Sequence, residues 1–122
     1  MKKVALVEDN ADNRLLVQAI LSDMYEIVEY ETGLDALEGL KSWIPDIILL
    51  DVSLPEMDGT QVVKKIRENP AMKDVPVIAL TAHAMSGDRE KYLLCGFNEY
   101  VTKPIVDEKV LIDTMEKFLK AR

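Results

Sequence analysis

Residues 47–51 read Ile47-Ile48-Leu49-Leu50-Asp51. A run of apolar side chains without polar alternation needs apolar cover on both faces of a strand, as in an inner strand of a parallel sheet. A carboxylate then stands at the carboxyl end of that strand. Two further runs have the same form: Val4-Ala5-Leu6-Val7, followed by Glu8-Asp9-Asn10, and Val77-Ile78-Ala79-Leu80, followed by Thr81. Two weaker candidates, Glu26-Ile27-Val28-Glu29-Tyr30 and Asn98-Glu99-Tyr100-Val101, carry charge or are half polar and read as edge strands.

Helical patterns separate the strands. Residues 11–23 align Leu15, Leu16, Ala19 and Ile20 on one stripe. Thr32 precedes Leu34, Leu37 and Leu40, and Thr32-x-x-Asp35 reads as a capping box. Val62, Val63 and Ile66 mark a third helix that stops near Asn69-Pro70. Residues 84–95 form a fourth, ended by Gly96. Asp107 caps a fifth with a buried stripe of Val110, Leu111, Met115, Phe118 and Leu119. Strands alternating with helices predict an α/β, doubly wound, five-stranded parallel sheet, (βα)5. Three central strands and two edges lead to the flavodoxin-like order 2-1-3-4-5.

The 122 residues amount to one ordinary domain, expected over 1–122, with no linker or repeat. The net charge of −7 repels nucleic acid and anionic membranes, so neither is an expected partner. The acidic balance also suits a divalent-cation site, although surface charge alone explains it equally well. No apolar run reaches the ~18 residues of a membrane span. Met1-Lys2-Lys3 is followed by an apolar run too short for a secretory signal. Cys95, alone, cannot form an internal disulfide, which agrees with a reducing compartment, and a cytoplasmic location is expected. Cys95 itself reads as a small packed side chain.

In a sheet of this order ligands bind at the carboxyl ends of the strands. There the chain places Glu8, Asp9, Asp51, Thr81 and Lys103, each after a different strand except the first pair. Three carboxylates brought together repel one another and require a cation or raised pKa values. Oxygen ligands without a Cys or His cluster point to a hard ion such as Mg²⁺, which keeps several waters and leaves room for a phosphate oxygen. Lys103 offers a point charge, and Thr81 a hydroxyl, to a phosphoryl group. The set amounts to a cradle for phosphoryl transfer, where catalysis is positioning and charge neutralisation.

These residues resemble the motifs of CheY-like receiver domains of two-component response regulators. Glu8-Asp9 resembles the acidic pair. Leu49-Leu50-Asp51 with Leu54-Pro55-Glu56-Met57-Asp58-Gly59 resembles the phosphoacceptor strand and loop. Ala79-Leu80-Thr81-Ala82 resembles the switch-threonine strand, and Tyr100-Val101-Thr102-Lys103-Pro104 the aromatic switch, lysine and proline. The resemblance covers essentially the whole chain. It implies that Asp51 receives a phosphoryl group from a partner's phospho-histidine, on a histidine kinase or phosphotransfer protein. It implies Mg²⁺ (or Mn²⁺ in its place) held by Asp9, Asp51 and the Ser53 backbone carbonyl, with Glu8 acting through a bound water. Thr81 and Lys103 would bind the phosphoryl oxygens, and the Lys103-Pro104 peptide would be cis. Ser53 and His83 would tune the lifetime of the phosphorylated state. Thr81 moving inward would let Tyr100 turn, altering a partner-binding face of helix 4, strand 5 and helix 5. Such a chain is a signalling phosphoacceptor that catalyses only its own phosphorylation and dephosphorylation. Val7-Glu8-Asp9-Asn10 with Asn13, and residues 81–88, resemble hybrid-kinase receivers and single-domain regulators. The start at Met1 and end at Arg122 suggest the single-domain form, and a module cut from a larger hybrid kinase or response regulator would look identical.

Blander readings exist for single residues. Asp51 alone could cap a turn, Tyr100 could be a half-buried packing residue, and His83 reads best as a solvated loop residue. Trp43 reads as packing at the foot of helix 2. An FMN-binding flavodoxin-like protein would need a hydroxyl- and glycine-rich phosphate loop where Glu8-Asp9 stands. A small Mg²⁺-dependent phosphatase would need a substrate pocket beyond a shallow rim.

Overall fold

The computed structural model describes residues 1–82, 88–105 and 107–120. Strands β1 (Lys2–Val7), β2 (Tyr25–Tyr30), β3 (Ile47–Asp51), β4 (Val77–Thr81) and β5 (Glu99–Thr102) form a parallel sheet in the order β2-β1-β3-β4-β5. Helices α1 (Ala11–Leu21), α2 (Gly33–Gly39), α3 (Gly59–Glu68), α4 (Asp88–Cys95) and α5 (Glu108–Lys120) follow the strands in turn, with a 3₁₀ turn at Pro70–Met72. The continuous apolar runs are the three inner strands, and the two polar ones are the edges, as expected.

Strand alternation divides the core in two. Ala5, Val7, Ile48, Leu50 and Ala79 face α2, α3 and α4, where Ala36, Val62, Val63, Ile66 and Tyr92 meet them. Val4, Leu6, Leu49, Ile78 and Leu80 face α1 and α5, where Val17, Leu21, Leu111, Met115 and Leu119 meet them. At about 1.5–3 kcal/mol for each large side chain removed from water, these two layers dominate the favourable side of folding.

Three helix faces differ from the sequence reading. In α1 the buried residues are Val17 and Leu21, while Leu15 is 70% exposed, Leu16 and Ala19 are exposed and Ile20 is half-buried. The reason is Arg14, which lies on the Val17–Leu21 face and donates from Nη1 to the Glu8 carbonyl (2.9 Å). An arginine in the inward stripe hides that stripe from a count of apolar spacing. In α2, Gly33 and Ala36 are buried and Leu34 is exposed. Small residues let α2 approach its neighbours: a Cβ on Gly33 would lie 2.5 Å from Val62 Cγ2. In α5, Leu111, Met115 and Leu119 line up at four-residue spacing, which turns Val110 outward.

The caps are specific. The Thr32 hydroxyl accepts from the Asp35 N–H (3.0 Å), but the reciprocal capping box belongs to α3, between Asp58 and Gln61. Helix α4 ends in a Schellman motif. Gly96, at φ +118°, donates to Leu93 O (3.1 Å), and Phe97 donates to Tyr92 O (3.2 Å). The Phe97 ring then packs edge-on against Tyr92, with centroids 5.9 Å apart. The expected start of this helix, at residues 84–87, lies outside the described residues.

Candidate functional site

The parallel register assembles the site. Glu8 and Asp9 directly follow β1, Asp51 ends β3, Thr81 ends β4, and Lys103 directly follows β5. The ladder continues past the strand ends: Val52 N–H donates to Leu80 O (3.0 Å) and Lys103 N–H to Thr81 O (2.7 Å). Residues 95 positions apart in sequence are thereby joined, since Lys103 Nζ lies 3.0 Å from Glu8 Oε1. The same ammonium lies 3.1 Å from Asp51 Oδ2.

Glu8, Asp9 and Asp51 each bring a carboxylate oxygen within 4.8 Å of the others. Glu8 and Asp51 are buried, whereas Asp9 is exposed. Backbone donors hold the two buried groups: Ser53 N–H donates to Asp51 Oδ1 (3.0 Å) and Asn10 N–H to Glu8 Oε2 (3.2 Å). Burial pushes the Glu8 carboxyl up to about 7, reinforced by its bond to and repulsion from Asp51, and opposed by Lys103 and the Asn10 amide. Burial pulls Lys103 down, but the two carboxylates outweigh it and its pKa is raised, so the ammonium persists. Lys103 is thus an internal counter-ion for a pocket with more negative than positive groups. An all-oxygen donor set from two or three carboxylates, one side open to solvent at Asp9, fits Mg²⁺.

The loop after β3 is tightly built. Met57 N–H donates to Pro55 O (2.7 Å), closing a γ-turn on Glu56, whose φ is +64°. Gly59 N–H donates to Val52 O (2.9 Å). A Cβ at Gly59 would collide with the Asp51 carbonyl and stand 2.8 Å from Val52 Cα, so only glycine lets α3 start this close to the end of β3.

Thr81 is fully buried, and its hydroxyl lies 2.9 Å from the Tyr92 hydroxyl, with either able to donate. Tyr100 is half-buried and its ring centroid is 6.1 Å from that of Tyr92. The Lys103-Pro104 peptide is cis. His83 lies outside the described residues.

This geometry is that of a known family. The family profile described as response regulator receiver domain matches residues 4–116. The chain belongs to the response regulator receiver family. Among curated relatives, this receiver is 37% identical over 119 residues to the polar-differentiation response regulator DivK of Brucella ovis, covering 97% of this chain and 96% of DivK. It is 42% identical over 108 residues to the signal transduction histidine-protein kinase BarA of Escherichia coli, covering 88% of this chain but only 12% of that kinase. Among solved structures it resembles the receiver domain of sensor histidine kinase PA1611 from Pseudomonas aeruginosa, with a TM-score of 0.88, 33% identity and 98% of both chains covered. That structure holds a magnesium ion coordinated in its active-site cleft. Receiver domains are signalling phosphoacceptors, bind Mg²⁺ at an acidic pocket, and interact with histidine kinases or phosphotransfer proteins. Among the described residues of this receiver, no helix is long and apolar enough to cross a membrane.

Two residues at the receiver site were not singled out from sequence. Arg14 bonds the Glu8 carbonyl and pairs with Glu29 (3.5 Å) and Glu31 (3.2 Å), tying α1 and the end of β2 to the acidic turn. Its inward position emerges only with the Val17–Leu21 face, where a cation needs an acceptor. Tyr92, the partner of Thr81, stands eleven residues away on another element. Nothing in local sequence connects the two.

Proposed function

We propose that Asp51 is the phosphoacceptor of this receiver. The observation that carries the proposal is the Asp51 carboxylate itself: buried at the end of the central strand, paired with Lys103, and within 4.8 Å of Glu8 and Asp9 oxygens. An Asp51 oxygen attacks the phosphorus of a partner's phospho-histidine. The P–N bond breaks, the imidazole keeps the electron pair and takes a proton, and an acyl phosphate forms on Asp51. Asp9, Asp51 and the Ser53 carbonyl would hold Mg²⁺, with Glu8 as an outer carboxylate of the same cluster; Mn²⁺, which also takes oxygen ligands, would be able to replace it. The ion, when bound, neutralises charge on the transferring group. Lys103 and the Thr81 hydroxyl then bind phosphoryl oxygens. The same residues support autophosphorylation from small donors and self-catalysed hydrolysis, and Ser53 and His83 set the rate of the latter.

Thr81 drawn toward the acyl phosphate lets Tyr100 turn, and the face of α4, β5 and α5 changes for a downstream protein. Beside β5 and α5 lies a groove of about 290 Å³ lined by Val101, Thr102, Ile105, Asp107 and the half-exposed Val110. The receiver unit extends over residues 1–122, since β1 begins at Lys2 and α5 reaches Lys120. It acts in the cytoplasm on protein partners, and its net charge of −7 disfavours direct contact with nucleic acid or membrane.

The test is intact-protein mass after incubation with acetyl phosphate and Mg²⁺, beside Asp51→Asn and EDTA controls. One added phosphoryl group is expected, dependent on both Mg²⁺ and Asp51. Addition that survives Asp51→Asn would refute Asp51 as the acceptor.

A further inference from the structure

The proposed switch requires Thr81 to move, and the structure contains a specific opponent to that movement. Strand alternation places Ala79 on the α3–α4 side of β4 and Leu80 on the α1–α5 side. Thr81, next in the alternation, has its hydroxyl on the α4 side, 2.9 Å from the Tyr92 hydroxyl. Both residues are buried, at 0% and 4% exposure. The Tyr92 end of this bond is anchored. Its carbonyl accepts from Phe97 N–H in the Schellman motif (3.2 Å), and its ring is wedged between Phe97 at 5.9 Å and Tyr100 at 6.1 Å. The Thr81 backbone is anchored too, by its pairing with Thr102 of β5 and by the Lys103 N–H (2.7 Å). With both backbones held, the hydroxyl contact ties the Thr81 side-chain rotamer to α4.

We propose that Tyr92 is a positioning residue that latches Thr81 on the α4 side and so sets the population of the activated state. The inference rests on the assignment above of Thr81 to a phosphoryl oxygen. For Thr81 to reach that oxygen, its contact with a buried phenol must lengthen or break, and burial makes the loss of such a contact costly. A ligand shifts a two-state equilibrium only by its preference for one state, so part of the phosphoryl group's interaction with Thr81 goes to releasing the latch. Removing the Tyr92 hydroxyl while keeping its ring takes away this contact and lowers the cost of turning Thr81 toward the phosphoryl group. Because the same ring packs on Tyr100, the latch also couples the threonine to the aromatic that alters the partner face.

The test uses beryllium fluoride with Mg²⁺ as a non-covalent phosphoryl mimic, titrated calorimetrically into the wild-type chain, Tyr92→Phe, Thr81→Ala and the double variant. Tyr92→Phe should bind the mimic roughly 2- to 10-fold more tightly than wild type. In the Thr81→Ala background the same change should alter affinity less than about twofold, because the hydroxyl it releases is gone. A merely structural tyrosine would lower stability and leave mimic affinity equal or weaker, an outcome that overturns the latch. A gain that persists without the Thr81 hydroxyl overturns it equally. Wild-type protein that binds Mg²⁺ but neither the mimic nor a phosphoryl group would instead overturn the phosphoacceptor reading, and the latch with it. Should Tyr92→Phe not fold, the wild-type chain still decides. Nuclear magnetic resonance should show the Thr81 side chain leaving Tyr92 when the mimic binds, and an unchanged Thr81 rotamer refutes the proposal.

Discussion

Glu8 carries the charge whose cost the fold makes most visible. Its side chain is 1% exposed, and its pKa rises from 4.5 to about 7, first through burial and then through Asp51. The folded protein therefore holds this proton more tightly than the unfolded chain does. Between about 4.5 and about 7 the folded state binds more protons, so stability falls as pH rises. The contribution is fully present below the lower value and lost above the upper one. Denaturant unfolding in EDTA at a series of pH values across this window should show that decline. Glu8→Gln should flatten it relative to wild type, and a wild-type stability that rises through the window would contradict the Glu8 environment described. At this scale the site was largely legible: Lys103 follows the weaker, half-polar edge strand, and Glu8, Asp9 and Asp51 stand at the ends of strands that the apolar runs located. Asp51 is the last residue of such a strand and needs only the topology to find its partners. Tyr92 was illegible because its role depends on where a helix ends and how its last turn closes, which spacing alone does not fix.

Elements are positioned by a second cation far from the chemistry. Arg67, in the last turn of α3, donates to four backbone carbonyls: Met72 (3.2 Å), Lys73 (3.3 Å), Val75 (2.7 Å) and Gly96 (2.8 Å). It also donates to Asn98 Oδ1 (2.8 Å), which in turn accepts from Val77 N–H (2.8 Å). One guanidinium thus joins α3, the entry to β4 and the turn between α4 and β5. Replacing it by Met keeps the apolar stem and orphans those acceptors, which should cost about 2–3 kcal/mol. The site lies at the opposite strand ends, so Mg²⁺ affinity should stay within about twofold of wild type in the folded variant. Calorimetric Mg²⁺ titration beside urea unfolding checks both halves, and a large loss of Mg²⁺ binding would mean that the α3 anchor reaches the pocket. The three inner strands were read correctly because burial on both faces leaves an unmistakable apolar run. The helix faces of α1 and α2 were misread because Arg14 and Gly33 occupy inward positions that a search for large apolar residues passes over. Both are there for a contact, one to the Glu8 carbonyl and the other to α3.

The molecule as a whole links the pocket to its stability. Glu8 and Asp9 come from the end of β1 and Asp51 from the end of β3, with α1, β2 and α2 intervening in the chain. Their oxygens lie within 4.8 Å of one another only because the sheet holds them there. An unfolded chain offers no comparable cluster, so a cation bound at this place binds the native state alone. Stabilisation then follows mass action, about 2.7 kcal/mol when free Mg²⁺ is 100 times its dissociation constant. The size of the effect reports site occupancy, and its pH dependence is opposite to that of the metal-free protein. Protonation of Glu8 near pH 7 opposes cation binding, so Mg²⁺ should stabilise more at a pH above that value than below it. Denaturant midpoints with and without Mg²⁺, at two pH values on either side, measure this directly. Asp51→Asn removes one of the two buried carboxylates and should abolish most of the Mg²⁺ increment. An equal increment in wild type and Asp51→Asn would mean that the cation stabilises the protein from somewhere other than this strand edge.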